Sequence, residues 1–107
     1  MSHFAVIREA GPGWTDGTVM FDQPAVDDHG MFMGALAEQG FVLIAGPLAG
    51  SEHGRARILL IVEAADEAEI HRRLADDPWS LAQQLVIHSI EPWSLVVGAE
   101  RLATTLN

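Results

Sequence analysis

An α+β fold built on one four-stranded antiparallel sheet is predicted from three features of this 107-residue chain. Its hydrophobic fraction of 49% and charged fraction of 20% are those of a globular domain with its own core. The absence of cysteine excludes a disulfide framework. Apolar patterns follow one another as strand, helix, strand, strand, helix, strand, which is the ferredoxin-like arrangement with both helices on one sheet face. We expect a single domain over residues 1–107.

The first strand and the loop after it are readily recognised. Residues 3–8, HFAVIR, alternate and are rich in apolar side chains, as in a strand. Residues 9–24 hold three glycines before the closing proline, which indicates a long loop. Loops of this length are often functional, and this one carries Trp14.

A helix from about Ala25 to Gln39 follows. Asp27 and Asp28 suit the positive end of its dipole, and Gly40 is placed to end it. Residues 41–46, FVLIAG, then form the second predicted strand, which Gly-Pro closes.

The second half of the chain repeats the pattern. Residues 57–63, RILLIVE, predict a strand that is buried on both faces. Asp66 followed by Glu69 resembles a capping box that opens a helix, and Asp77 before Pro78 starts another helical turn. The remaining predicted elements are a strand over residues 85–97 and one terminal helix within residues 98–107.

The charge balance excludes several classes of partner. Fifteen acidic residues stand against six arginines and no lysine, for a formal net charge of −9. Such a field repels phosphate backbones and anionic lipid headgroups, so we expect no nucleic-acid or membrane partner. No apolar run approaches the ~20 residues of a membrane span, and we find no signal-peptide pattern. We therefore expect a cytoplasmic protein.

The strands carry apolar residues on both alternations. Phe4 and Val6 point to one sheet face, whereas Ala5 and Ile7 point to the other. Two helices cover only one face, and an apolar face of that size marks an interaction surface. We expect a second copy to cover it in a two-fold homodimer with the sheets face to face.

Four parts of the sequence match a known family in their order and spacing: His29, LAEQGFVLIAGPL (36–48), DDPW (76–79) and IEPW (90–93). On these residues the chain resembles the YCII-related family of the dimeric α+β barrel superfamily. This resemblance implies a pocket between sheet and helices with His29 and Asp77 as its polar centre. Elimination chemistry on a chlorinated ring compound is associated with that family, and related folds carry isomerases and monooxygenases for small cyclic or aromatic molecules. The loop at residues 9–24 is longer than the connection in the smallest members.

The helical spacing places His29 on an inward stripe independently of the resemblance. Met33 lies four residues and Leu36 seven residues further on, so all three share one helix face. A neutral imidazole there can act as a base. The alternative is a structural histidine that is hydrogen-bonded beneath a loop.

Two charged residues also have a functional and a structural interpretation. Asp77 can orient the ring of His29, or it can simply cap a helical turn, which contributes about 1 kcal/mol. Arg8 shares the alternation of Phe4 and Val6, so its guanidinium can lie at the edge of a cavity and pair with an anionic substrate or a carboxylate. The alternative is a surface arginine at the end of a strand.

Trp14, Trp79 and Trp93 could wall a flat pocket, with Trp14 as a lid, although large aromatic residues often serve packing instead. Of the three, Trp14 and Trp93 are the candidate substrate-binding residues. No two histidines lie at a helical i, i+4 or strand i, i+2 spacing, so we predict no metal and no cofactor. We expect His53 and His71 to face solvent.

We therefore predict a small cofactor-independent enzyme in which His29 moves a proton on a small cyclic, aromatic or carbonyl compound and Asp77 orients its ring. The first alternative is a non-catalytic small-ligand-binding or accessory dimer. The second is a purely structural role for the two residues.

Overall fold

The computed structural model describes residues 1–51 and 55–105, and its secondary structure has the predicted order. The expected orientation of His53 lies outside the described residues. The described elements are the strands β1 (Ser2–Ala10), β2 (Val42–Pro47), β3 (Arg57–Ala64) and β4 (Leu85–Pro92), the helices α1 (Val26–Glu38), α2 (Glu67–Leu74), α3 (Pro78–Leu81) and α4 (Ala99–Thr105), and a short 3-10 turn (Met20–Asp22).

The four strands form one antiparallel sheet in the order β2-β3-β1-β4. This is the strand order of the ferredoxin-like fold, so the predicted fold class is confirmed. Strand β1 is central: Val6 faces Leu60 of β3 on one side and Ile90 of β4 on the other. The register of β1 with β4 shifts between Ile7 and Arg8, next to the residue that enters the candidate site.

The core lies between the helices and one sheet face. Along β1, Phe4, Val6 and Arg8 are buried, and their neighbours are half-buried. From the helices, Leu36 of α1 and Ile70 of α2 pack into the same cluster. The period of two in the strand and the shared face of the helices thus produce the core that the sequence predicts.

The predicted caps are present in part. Asp66 accepts a hydrogen bond from the backbone N–H of Glu69, as expected, but the Glu69 carboxylate accepts from Ala65 rather than from Asp66 itself. The N-cap of α1 is Ala25, in the left-handed region at φ 62° and without a side-chain hydrogen bond. This helix start therefore depends on tertiary contacts rather than on a local capping residue.

The prediction of a strand through residue 97 is wrong, since β4 ends at Pro92. Proline has no N–H to donate to a sheet ladder, and beyond it one more backbone hydrogen bond, from Trp93 to the carbonyl of His3, joins the chain to β1. A terminal helix follows, as expected, as α4, which contacts β2.

The sheet face away from the core is partly covered by the chain itself. Ile61 is buried, whereas Ile7 and Leu59 are half-buried and Ile44 is 53% exposed.

Among the described residues, no helix is both long enough and apolar enough to cross a bilayer.

Candidate functional site

His29 enters the site from the first turn of α1. Its backbone N–H donates to the carbonyl of Ala25, so the residue is held by regular helical bonding. Met33 and Leu36 follow on the same stripe and pack with the core. The imidazole therefore points inward, as predicted, and its side chain is only 14% exposed.

Asp77 enters the site from the turn before α3 and is completely buried. Its Oδ1 accepts a hydrogen bond from the backbone N–H of Trp79 at 3.0 Å, while Pro78 occupies the first helical position. The predicted capping role is thus present. The same carboxylate also makes contacts beyond its own helix.

The structure brings His29 and Asp77 together across 48 positions of sequence. Nδ1 of His29 lies 2.9 Å from each carboxylate oxygen of Asp77. Because an ionised carboxylate only accepts hydrogen bonds, Nδ1 carries the proton in this contact. The ring's other nitrogen, Nε2, has no hydrogen-bond partner among residues 1–51 and 55–105.

Arg8 completes the cluster from the central strand. Its Nη1 donates to Oδ2 of Asp77 at 2.8 Å, and its Nη2 donates to Oγ of Ser80 at 2.7 Å. Ser80 in turn donates to the carbonyl of Leu74 at 2.7 Å. The interpretation of Arg8 as a surface arginine is wrong, since the residue is 1% exposed.

The electrostatics of the cluster keep Asp77 charged. Burial raises the pKa of Asp77, but hydrogen bonds from His29 and Trp79 and the charges of Arg8 and His29 outweigh it, so this pKa lies below its usual range. Burial lowers the pKa of Arg8, and Asp77 opposes that shift. A guanidinium starts from so high a pKa that Arg8 remains charged. The pair is therefore ionic at neutral pH.

Trp79, one of the three tryptophans that the sequence offers as walls of a pocket, is a site residue that was not among the predicted substrate-binding residues. Its indole stacks on the imidazole of His29, with ring centroids 3.9 Å apart and planes 6° from parallel. Its Nε1 donates to the carbonyl of Pro24 at 2.8 Å, which fixes the indole against the loop before α1. One signal was available: Trp79 lies two residues after Asp77 in the same Asp-Pro turn.

The two predicted substrate-binding tryptophans lie elsewhere. Trp14 is buried and packs edge-on against Trp79, with centroids 5.8 Å apart, so it supports the site from behind and is not an open lid. Trp93 is 47% exposed. Its backbone N–H donates to the carbonyl of His3, at the end of β1 away from Arg8. Within one chain, Trp93 is not brought to His29.

The loop between β1 and α1 is fixed by hydrogen bonds. Gln23, which is 2% exposed, bonds the N–H and carbonyl of Thr15 and the carbonyl of Thr18. Gly11 and Gly13 donate to the turn before β4, and a Cβ at Gly13 would lie only 1.9 Å from a carbonyl oxygen of that turn. The loop is therefore a fixed wall.

A cavity of about 540 Å³ opens beside His29 on the helix side of the sheet. It lies between the 3-10 turn of the loop and the first turns of α1, and Phe21 and Met31 at its surface are each about three-quarters exposed. Its lining residues are Met20, Phe21, Val26, Asp27, His29, Gly30, Met31 and Trp79.

The other histidines within the described residues, His3, His71 and His88, are dispersed. His3 lies 3.6 Å from Glu63, His88 lies 3.4 Å from Glu9, and His71 is exposed, as expected. In the part of the chain that the structure describes, no three His, Asp or Glu side chains converge as ligands for an ion.

The fold has a counterpart among solved structures. The chain is similar to 5-chloro-2-hydroxyhydroquinone dehydrochlorinase from Burkholderia phenoliruptrix AC1100, solved in complex with 2,5-dihydroxybenzoquinone. The TM-score is 0.61 and the identity 20%, over 88% of this chain and 95% of that one. No protein-family model matches this chain, and no curated protein matches it either. The likeness shows a shared fold, an α+β fold with a four-stranded antiparallel sheet.

Proposed function

We propose that the protein is a small cofactor-independent enzyme in which His29 transfers a proton on a small cyclic, aromatic or carbonyl compound in the adjacent cavity. One observation carries the proposal. The Nδ1 edge of His29 is held by Asp77, while the residue itself lines the cavity. A base that is oriented by a carboxylate and open to a ligand is the arrangement that general acid–base catalysis requires.

The proposed chemistry uses the free nitrogen. With the proton on Nδ1, the lone pair of Nε2 accepts a proton from an acidic C–H of the ligand. In an elimination, the electron pair of that C–H forms a double bond as a leaving group departs with its own electron pair. In an isomerisation, Nε2 returns the proton to another carbon. Asp77 stabilises the imidazolium between these steps, and such a base contributes about 10²–10⁴ in rate.

Arg8 acts in this proposal as a positioning residue. Its guanidinium is almost completely buried and bonded to Asp77 and Ser80. These contacts support a role in which Arg8 keeps the carboxylate of Asp77 charged and fixes its orientation. This role replaces the expectation that Arg8 binds an anionic substrate. Trp79 positions the imidazole by stacking on it.

The similarity to a dehydrochlorinase supports elimination as the reaction class, and with it membership of the YCII-related family. The histidine, Gly-Pro and Asp-Pro segments in this order support the same assignment. A chlorinated hydroxyhydroquinone is accordingly the first substrate to examine.

A two-fold homodimer through the outer sheet face is part of the proposal. The exposed Ile44 on β2, together with the exposed Trp93, Val96 and Val97 after β4, supports a contact between copies. The cavity lies on the opposite, helix side and stays open in such a dimer. A cytoplasmic setting, with no nucleic-acid or membrane partner, is consistent with the cysteine-free sequence and its negative charge.

The test is turnover of chlorinated hydroxyhydroquinones and cyclic ketones, followed by chloride release and by C–H exchange in deuterated water. His29→Ala is expected to lower the rate by about 10²–10⁴. Gly34→Ala, on the same helix but outside the cavity, is expected to keep the native rate. Full activity of His29→Ala on a compound that the native protein turns over would refute the proposal. Ring compounds that bind but exchange no proton would identify the alternative, a non-catalytic ligand-binding module.

A further inference from the structure

We infer that the cavity selects small uncharged ring compounds that carry a hydrogen-bond donor and rejects anionic ones, with Asp27 as the specificity-determining residue. The inference rests on the proposed function only in placing the ligand in the cavity beside His29. It narrows the class of compound that can occupy that cavity.

The charges around the cavity are the first argument. Asp27 is the charged side chain among the described lining residues, and the remainder are apolar residues, glycine and His29. No arginine is among them, and the chain has no lysine. A carboxylate on the ligand would therefore meet a like charge with no partner to offset it.

The nearest guanidinium is already engaged. Arg8 is 1% exposed, and its two terminal nitrogens bond to Asp77 and Ser80. An anionic ligand cannot reach it without breaking a buried ion pair, which is strongly unfavourable. The site thus differs from one in which an arginine clamps a carboxylate.

The first turn of α1 does not supply the missing positive charge. A helix start attracts anions through its unpaired N–H groups. Asp27 and Asp28 both lie in this first turn, where their carboxylates already interact with the helix dipole. At the cavity, the positive end of the helix is therefore already offset by the carboxylate of Asp27.

The hydrogen-bonding capacity of the lining gives the second argument. The Asp27 carboxylate accepts hydrogen bonds and donates none. In the neutral ring of His29, with the Nδ1 proton directed to Asp77, Nε2 also only accepts. Since Nε1 of Trp79 already donates to the carbonyl of Pro24, the two lining side chains with hydrogen-bonding capacity left are both acceptors, and a ligand satisfies them by bringing donors such as ring hydroxyl groups.

Shape and polarity indicate a ring. Phe21 and Met31 form an apolar lip, and Trp79 lies at the back of the cavity. The volume of about 540 Å³ lies within the range of small-molecule sites. A monocyclic compound with hydroxyl groups matches both the apolar walls and the two acceptors.

The test is an NMR titration at fixed ionic strength with benzyl alcohol, benzyl methyl ether and benzoate, which share a ring and differ in donor and charge. We expect benzyl alcohol to bind about tenfold more tightly than benzoate and roughly threefold more tightly than the ether. Asp27→Asn should reduce the preference over benzoate to roughly twofold, whereas the matched control Asp28→Asn, which lies outside the cavity lining, should preserve it.

Equal binding of benzoate and benzyl alcohol to the native protein, an unchanged preference in Asp27→Asn, or no binding of benzyl alcohol would each overturn the inference. The titration measures binding alone, so the two proposals fail separately. A selective cavity without turnover would refute the enzyme and leave the selectivity standing. Turnover that depends on His29 without charge selectivity would refute the selectivity and leave the proposed enzyme standing.

Discussion

The imidazole of His29 lies flat against the indole of Trp79, with the ring centroids 3.9 Å apart and the planes within 6° of parallel. Trp79 belongs to the same turn as Asp77, whose carboxylate holds Nδ1 of the same ring. One short segment thus fixes both a face and an edge of the imidazole. Rotamer freedom that would otherwise be lost on ligand binding is removed in advance, which is the preorganisation that catalytic groups need.

Asp77→Asn is expected to destabilise the protein strongly. The change leaves the guanidinium of Arg8, which is 1% exposed, without its counter-charge. Breaking a buried ion pair in this way costs about 3–5 kcal/mol. Chemical denaturation monitored by tryptophan fluorescence measures the difference in the free energy of unfolding. Asp76→Asn, at the exposed neighbouring position, is the control and should have little effect; equal stability of the two variants would contradict the buried pairing.

Arg8 and Asp77 are expected to be energetically coupled. Arg8→Met alone removes the guanidinium from the buried carboxylate of Asp77, and Asp77→Asn alone removes the counter-charge from the buried guanidinium of Arg8. The double variant removes both charges, so its loss of stability should be smaller than the sum of the single losses by about 1–3 kcal/mol. A denaturation double-mutant cycle gives this number. Simple additivity would mean that the two side chains do not depend on each other.

The stability of the protein should fall in acid through Asp77. Its pKa is lowered in the folded state, so the unfolded chain binds this proton more readily. The contribution is fully present above the unfolded pKa of about 3.9 and is lost as pH falls through the lower folded pKa. Unfolding free energies measured from pH ~6 to ~2 should therefore decrease, and Asp77→Asn should reduce this slope whereas Asp76→Asn should not. An unchanged slope in Asp77→Asn would contradict the assigned shift.

Gly30 and Gly34 offer a matched pair for closing the cavity. Both lie in α1 with open space at the Cβ position, but only Gly30 is among the lining residues. Methionine at either position should stabilise the helix by about 1 kcal/mol, because glycine is a poor helix former. Only Gly30→Met should also weaken binding of benzyl alcohol, by roughly tenfold, since its side chain occupies the cavity. Thermal unfolding and titration measure the two effects, and equal binding by both variants would place the ligand elsewhere.

Local patterns explain which parts of the fold could be predicted. The alternation of Phe4, Val6 and Arg8 predicted that the three share one sheet face, and this is the core face, although the burial of Arg8 was not predicted. The Asp-Pro pair correctly predicted the cap at Asp77. In contrast, the start of α1 has no capping side chain; the carbonyl of Pro24, just before it, instead accepts hydrogen bonds from Trp79 and Gln84. Such contacts span more than 50 positions and leave no local pattern.

The candidate site was predictable to a similar degree. The inward stripe of α1 pointed to His29, while the partner in Asp77 came from a family resemblance and not from spacing. That Arg8 pairs with this particular carboxylate depends on the sheet order, which brings the central strand beneath α3. The sequence did not predict that Phe21 and Asp27 line the cavity. Phe21 belongs to a loop whose shape depends on the hydrogen bonds of Gln23 to Thr15 and Thr18.

The protonation pattern of His29 tests the central claim most directly. Nitrogen-15 NMR of the ring-labelled protein reports which imidazole nitrogen carries the proton at neutral pH. The contact with both oxygens of Asp77 predicts that the neutral ring carries its proton on Nδ1 and a free lone pair on Nε2. The nitrogen-15 resonance of Nε2 should then shift when benzyl alcohol is added. A neutral ring protonated on Nε2, with Nδ1 unprotonated beside Asp77, would contradict the account.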